Sequence, residues 1–175
     1  DAKETSYTGN SGMMELREAI SQHFEKRYGV HYDPKDEILV TVGVSEGLAM
    51  ALLAITEPGD EVIIPDPAYV AYPASVELAG GTPVFVPTYP EHDFKLTVEA
   101  LEKVITPKTK AIVIGYPNNP TGTVMSAEEL MPIAKFAEEH DLIVLSDEIY
   151  CELMYGDAKF TSFAKLPGMR ERTVI

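Results

Sequence analysis

Short β-branched runs that alternate with segments of helical period constrain this chain more than any other feature. Ile38-Leu39-Val40-Thr41-Val42, Val62-Ile63-Ile64, Val84-Phe85-Val86, Ala111-Ile112-Val113-Ile114 and Leu142-Ile143-Val144-Leu145 read as strands, several of them apolar on both faces. Thr173-Val174-Ile175 reads as the start of another. Between the runs, apolar residues three and four positions apart mark helices: Leu16, Ala19, Ile20 and Phe24; Leu48, Ala51, Leu52 and Ile55; Val98, Leu101 and Ile105; Leu130, Ile133, Ala134 and Ala137. Strands buried on both faces need helices on both sides, so the expected fold is α/β with a mostly parallel sheet. Boundary chemistry agrees. Ser126 with Glu129 three residues later is a capping-box signature for the helix running toward His140, and Pro58-Gly59-Asp60, Gly80-Gly81 and Pro107 stand where helices stop. The expected organisation is an N-terminal helical segment, 1–30, followed by one α/β domain, 31–175.

Composition narrows the function. With 14 Lys+Arg against 28 Asp+Glu in 175 residues, the net charge is -14, which argues against nucleic acid or an anionic membrane as the main partner. A single cysteine, Cys151, cannot form an intrachain disulfide or a cysteine-based zinc site, so the cytoplasm is the expected compartment. The apolar runs fall far short of the ~20 residues that span a bilayer. The chain opens at Asp1 without methionine and closes at Ile175 within an apolar run, and is expected to be a piece of a longer protein.

In parallel sheets, ligands bind outside the carboxyl ends of the strands, so the residues after each run matter most. Gly43-Val44-Ser45-Glu46-Gly47 leads into a helix whose free N–H groups suit a phosphate, although neither dinucleotide nor Walker spacing is present, and taken alone the motif reads first as an ordinary N-cap serine. Pro65-Asp66-Pro67-Ala68-Tyr69-Val70-Ala71-Tyr72-Pro73 presents two tyrosines in a proline-restricted loop, for stacking on a flat ligand or for core packing, with Asp66 as a turn former. Gly115-Tyr116-Pro117-Asn118-Asn119-Pro120-Thr121-Gly122 is a rigid polar turn, either purely structural or holding an amide against a ligand oxygen, with the second reading favoured. Ser146-Asp147-Glu148-Ile149-Tyr150 ends a buried strand with two carboxylates. If the strand continues through them, alternation points these to opposite sides and they are not expected to chelate one ion together; Asp147 is the better candidate for an inward role. No metal site is expected. His23, His31, His92 and His140 read as surface or helix-end residues.

In this order, the segments resemble the large domain of class I/II pyridoxal-phosphate-dependent aminotransferases of fold type I. The resemblance is carried by Tyr7-Thr8-Gly9-Asn10-Ser11-Gly12 before Leu16-Arg17, Val42 to Leu48, Pro58 to Val62, Pro67-Ala68-Tyr69, Tyr116 to Gly122 and Ser146 to Tyr150. It implies that residues 31–175 are a cofactor-binding large domain, incomplete at its end. Val44, Ser45 and Glu46 would then surround the cofactor phosphate, with Tyr69 stacking on the pyridine ring. Asn119 and Tyr150 would bond the ring's phenolic oxygen, and Asp147 would keep the ring nitrogen protonated. Tyr7 would reach the phosphate of a neighbouring subunit, which implies a homodimer.

The same resemblance places the lysine that forms the Schiff base beyond Ile175, together with the substrate-carboxylate arginine and a small domain. This chain alone is therefore expected to be inactive. The implied reaction moves an amino group between an L-amino acid and a 2-oxo acid. The competing readings are a carbon-sulfur lyase or synthase of the same fold, and an aminotransferase-like regulatory domain that binds an effector.

Overall fold

The computed structural model describes residues 7–175, which form two compact units, the first ending at Gly43 and the second Val44–Ile175. In the first, helix α1 (Met14–Tyr28) carries the expected apolar spacing and stops at Gly29. That residue takes the left-handed conformation (φ 73°, ψ 25°), and its N–H bonds to the Glu25 carbonyl, as a C-terminal glycine cap requires. The buried Arg17 on α1 donates through Nη1 to the carbonyls of Pro34 (2.9 Å) and Lys35 (3.0 Å), and Ser21 Oγ donates to the Tyr32 carbonyl (2.6 Å). These bonds fasten the following loop to the helix.

The expected strand Ile38–Val42 does not form. The segment has no regular secondary structure; Val40 N–H bonds to the Ser11 carbonyl (3.1 Å), while Leu39 and Val42 stay exposed. An apolar β-branched run favours extended backbone, but a strand also needs a partner that completes a ladder.

In the second unit, α2 (Gly43–Ile55, its first residue shared with the boundary) precedes β1 (Glu61–Asp66), α3 (Ala71–Leu78), β2 (Thr82–Pro87), α4 (Val98–Leu101), β3 (Thr109–Ile114), α5 (Ala127–Glu139), β4 (Ile143–Ser146) and β5 (Thr173–Val174). The strands form one sheet in the order β2-β1-β3-β4-β5, with every pairing parallel. Alternation then assigns the strand residues to two cores. Ile63, Ile112, Ile114 and Val144 face Leu130, Ile133, Ala134 and Phe136 of α5 together with Phe163 and Met169. Val62, Ile64, Ala111, Val113 and Leu145 face Leu48 and Leu52 of α2 and Tyr72 and Val76 of α3. Helices thus cover both faces, as the doubly apolar runs require. Because all strands run the same way, their carboxyl ends share one edge.

Helix α3 departs from the expected Pro65–Pro73 loop. Pro73 is its third residue, where a proline costs no intrahelical hydrogen bond. Asp66, expected as a turn former, is instead the last residue of β1, and its carbonyl accepts from Thr88 N–H (2.7 Å) and Oγ1 (2.9 Å). The helix expected through Ile105 is a single α turn, α4, capped by Thr97 Oγ1 accepting from Ala100 N–H; Leu101 O then takes both Val104 and Ile105 N–H groups.

The capping box of α5 forms in both directions. Ser126 Oγ accepts from Glu129 N–H (3.3 Å), and Ser126 N–H donates to Glu129 Oε2 (2.8 Å). Ser126→Ala is expected to destabilise the fold by about 1 kcal/mol, read as a lower urea midpoint at unchanged m-value; an unmoved midpoint would show that water replaces the cap.

Candidate active site

The sheet's carboxyl edge brings β4 and α3 together at a single acid. Asp147 directly follows β4, and its N–H donates to the Ile114 carbonyl (2.8 Å), so β4 holds its backbone against β3. Its Oδ1 accepts from Ile149 N–H (3.2 Å) and its Oδ2 from the Tyr72 hydroxyl (2.7 Å). Both oxygens are therefore oriented. Tyr72 is buried, and burial first, then the adjacent Asp147 charge, pushes its hydroxyl far above the ordinary tyrosine range. It donates at every working pH.

Space around this pair is shaped by Gly115, the residue after β3. A Cβ there would lie 2.8 Å from the Tyr72 hydroxyl and 3.6 Å from Asp147 Cβ, so a side chain would collide with the bond itself. Tyr69, three residues before Tyr72, meets its ring edge to face at 5.7 Å and 84°. It remains half-buried at the rim.

The turn after β3 divides its two asparagines. Asn118 Oδ1 accepts from Thr121 N–H (3.2 Å) and Oγ1 (2.9 Å), while its backbone pairs with Thr123 and Gly122. Asn118 thus builds the turn. Asn119 is exposed, and its Nδ2 donates over 3.5 Å to the Tyr150 hydroxyl. An amide donor and a phenol therefore stand side by side, both able to approach one acceptor oxygen. Val44, Ser45 and Glu46 fall in the first turn of α2, where backbone N–H groups lack intrahelical partners and the dipole favours an anion. Tyr7 belongs to the first unit, where its ring is exposed.

Glu148, beyond the end of β4, turns away from Tyr72 toward Ser162 and Phe163. It is buried, and its Oε1 accepts from Ser146 Oγ (3.0 Å), Ser162 Oγ (3.0 Å) and Phe163 N–H (2.9 Å). Burial pushes its carboxyl up to about 7, against the pull of these three bonds and with a further push from the Asp147 charge. Its Oε2 has no hydrogen-bond partner. This role was not legible in the sequence, because Ser162 precedes and Phe163 opens a three-residue 3-10 turn, Phe163–Lys165, too short to leave a periodic signal.

Two histidines pack on aromatic rings, one lies beside a carboxylate, and His92 closes a short 3-10 turn after β2, Pro90–His92. His23 contacts Phe24 and Tyr28 edge to face, His31 lies 3.4 Å from Glu25, and His140 packs on Phe136 at 4.3 Å between ring centres. Among the described residues, no group of three His, Cys, Asp or Glu side chains could hold a metal ion, and no helix is long and apolar enough to cross a membrane.

Fold and edge together define an α/β domain with an acid, phenols and an amide at the carboxyl end of a parallel sheet. The family model for class I and II aminotransferases matches residues 2–174. The aromatic-amino-acid aminotransferase 2 of Thermococcus litoralis is 49% identical over 97% of this chain and 44% of its own length. The aspartate aminotransferase of Pyrococcus abyssi is 50% identical over 97% and 44%. The solved aromatic aminotransferase from Pyrococcus horikoshii superposes with a TM-score of 0.95 at 50% identity, over 97% of this chain and 45% of that one. The chain belongs to the class I and II aminotransferase family and spans about 44% of the length of these curated relatives.

Proposed function

We propose that this chain is the cofactor-holding core of an aminotransferase that moves an amino group between an L-amino acid and a 2-oxo acid with pyridoxal phosphate. The observation that carries the reading is Asp147, a carboxylate fixed at the sheet's carboxyl edge by Tyr72 and by its own turn. The donor set fits the cofactor. Asp147 offers an anion for the ring nitrogen, Asn119 and Tyr150 offer two donors for a phenolic oxygen, Tyr69 offers a half-buried aromatic face, and Val44, Ser45 and Glu46 offer a helix start for a phosphate.

When bound, pyridoxal phosphate supplies the electron sink that makes the α-carbon of an amino acid acidic. Asp147 holds a proton on the ring nitrogen, because an adjacent anion favours the cationic ring. Asn119 and Tyr150 orient the ring by its oxygen, and Tyr69 limits its tilt and excludes water from one face. The exposed Tyr7 supports a homodimer in which it meets the partner's phosphate, and the sparse cysteine content supports the cytoplasm as the working compartment. The domain reading of a helical segment, 1–30, and a cofactor domain, 31–175, belongs to the same proposal.

Titration of the cofactor-free protein with pyridoxal phosphate, followed by absorbance and induced circular dichroism, tests the reading. Saturable binding is expected, together with 2-oxo acid formation from an amino acid in the whole protein; absence of binding would overturn it. Tyr69→Ala is expected to weaken binding about tenfold without abolishing it, and an unchanged Kd would remove the stacking role.

A further inference from the structure

We propose that Tyr72 is a positioning residue that sets the orientation and hydrogen-bonding of Asp147 toward the cofactor's ring nitrogen, and that Gly115 is glycine to leave room for it. The inference rests on the pyridoxal phosphate reading and extends it to two residues outside the proposed cofactor contacts.

Three observations carry it. The Tyr72 hydroxyl reaches Asp147 Oδ2 at 2.7 Å across 75 positions of chain, so the contact is made by the fold rather than by local geometry. It leaves Asp147 tethered at both oxygens, since Oδ1 takes Ile149 N–H. Gly115 places empty space where a methyl group would stand 2.8 Å from that hydroxyl, closer than such atoms approach. The hydroxyl is neutral, so it restrains the carboxylate without cancelling its charge. A lysine or arginine in its place would compete with the ring nitrogen for the same anion. A donor to the charged form also withdraws some of the carboxylate's hydrogen-bonding capacity, so removing it alters how the acid meets the ring. Tyr72 further supports Tyr69 edge to face, which links the group beside the ring nitrogen to the one proposed to stack on the ring.

The test uses the whole protein and three readouts. Tyr72→Phe keeps the ring and removes the hydroxyl. It is expected to raise the pyridoxal phosphate Kd about tenfold, shift the pH midpoint of the bound cofactor's absorbance by about one unit, and lower kcat about tenfold or more at a nearly constant KM for the amino acid. Gly115→Ala, which pushes the hydroxyl aside without removing a polar group, is expected to move the same readouts in the same direction. A merely structural tyrosine would lower thermal stability and leave the absorbance midpoint and Kd at wild-type values, and that outcome overturns the role. If wild-type protein binds no pyridoxal phosphate, the functional reading falls and this role with it. If wild type binds and both variants match it, only this role falls.

Discussion

Asp147→Ala in the whole protein is expected to lower kcat/KM for transamination by about a hundred- to several-thousandfold while circular dichroism still reports the α/β fold. The size follows from removing the charged partner of a largely desolvated cation, which costs about 3–5 kcal/mol, at 1.36 kcal/mol per tenfold in rate. A separate structural cost arises because the buried Tyr72 hydroxyl loses its acceptor, about 1–3 kcal/mol. Asp147→Asn separates the two effects. The amide oxygen still accepts from Tyr72, so most stability returns, but a neutral amide cannot hold a proton on the ring nitrogen and activity stays low. Turnover that survives in Asp147→Asn would refute the electrostatic role.

The second large effect concerns stability against pH, and it resides in the neighbouring residue. Burial lifts Glu148 from its ordinary 4.5 to about 7 in the folded state. The folded protein therefore binds this proton more tightly than the unfolded chain. Its contribution is fully present below about pH 4.5 and is lost as pH rises through about 7, a difference of about 3 kcal/mol. Glu148→Gln keeps an oxygen for Ser146, Ser162 and Phe163 but does not titrate. The urea-unfolding free energy of wild type relative to Glu148→Gln is thus expected to fall by about that amount between pH 4.5 and 8. A difference that stays flat with pH would mean that Glu148 binds its proton equally in both states.

What the sequence disclosed, and what it hid, follows from the range of each interaction. Runs such as Val62-Ile63-Ile64 and Ala111 to Ile114 announce central strands because burial on both faces leaves no polar position. Ser126 and Glu129 announce α5 because a cap is a local bond. Ile38–Val42 misled for the converse reason, since its composition says nothing about whether a neighbouring strand lies in reach. Pro73 concealed α3, because the residue that breaks a helix interior is harmless in its first turn. The acid, the amide and the rim tyrosine of the candidate site stand in the sequence as strand-end motifs; the roles proposed for them rest on the resemblance. The bond from Tyr72 to Asp147 was not legible there, because only the crossing of α3 over the sheet brings residue 72 to residue 147. The burial of Glu148 depends likewise on a segment that carries no period.

The anchoring of the loop after α1 has a consequence for how the protein responds to its solvent. Arg17 is buried and, among the described residues, donates its hydrogen bonds to two backbone carbonyls rather than to a carboxylate. Dissolved ions weaken attraction between exposed opposite charges, as between Lys95 and Glu129. They have far less purchase on a sheltered guanidinium whose acceptors are neutral. The first unit is therefore expected to keep its loop fastened in brine that loosens the surface ion pairs of the second.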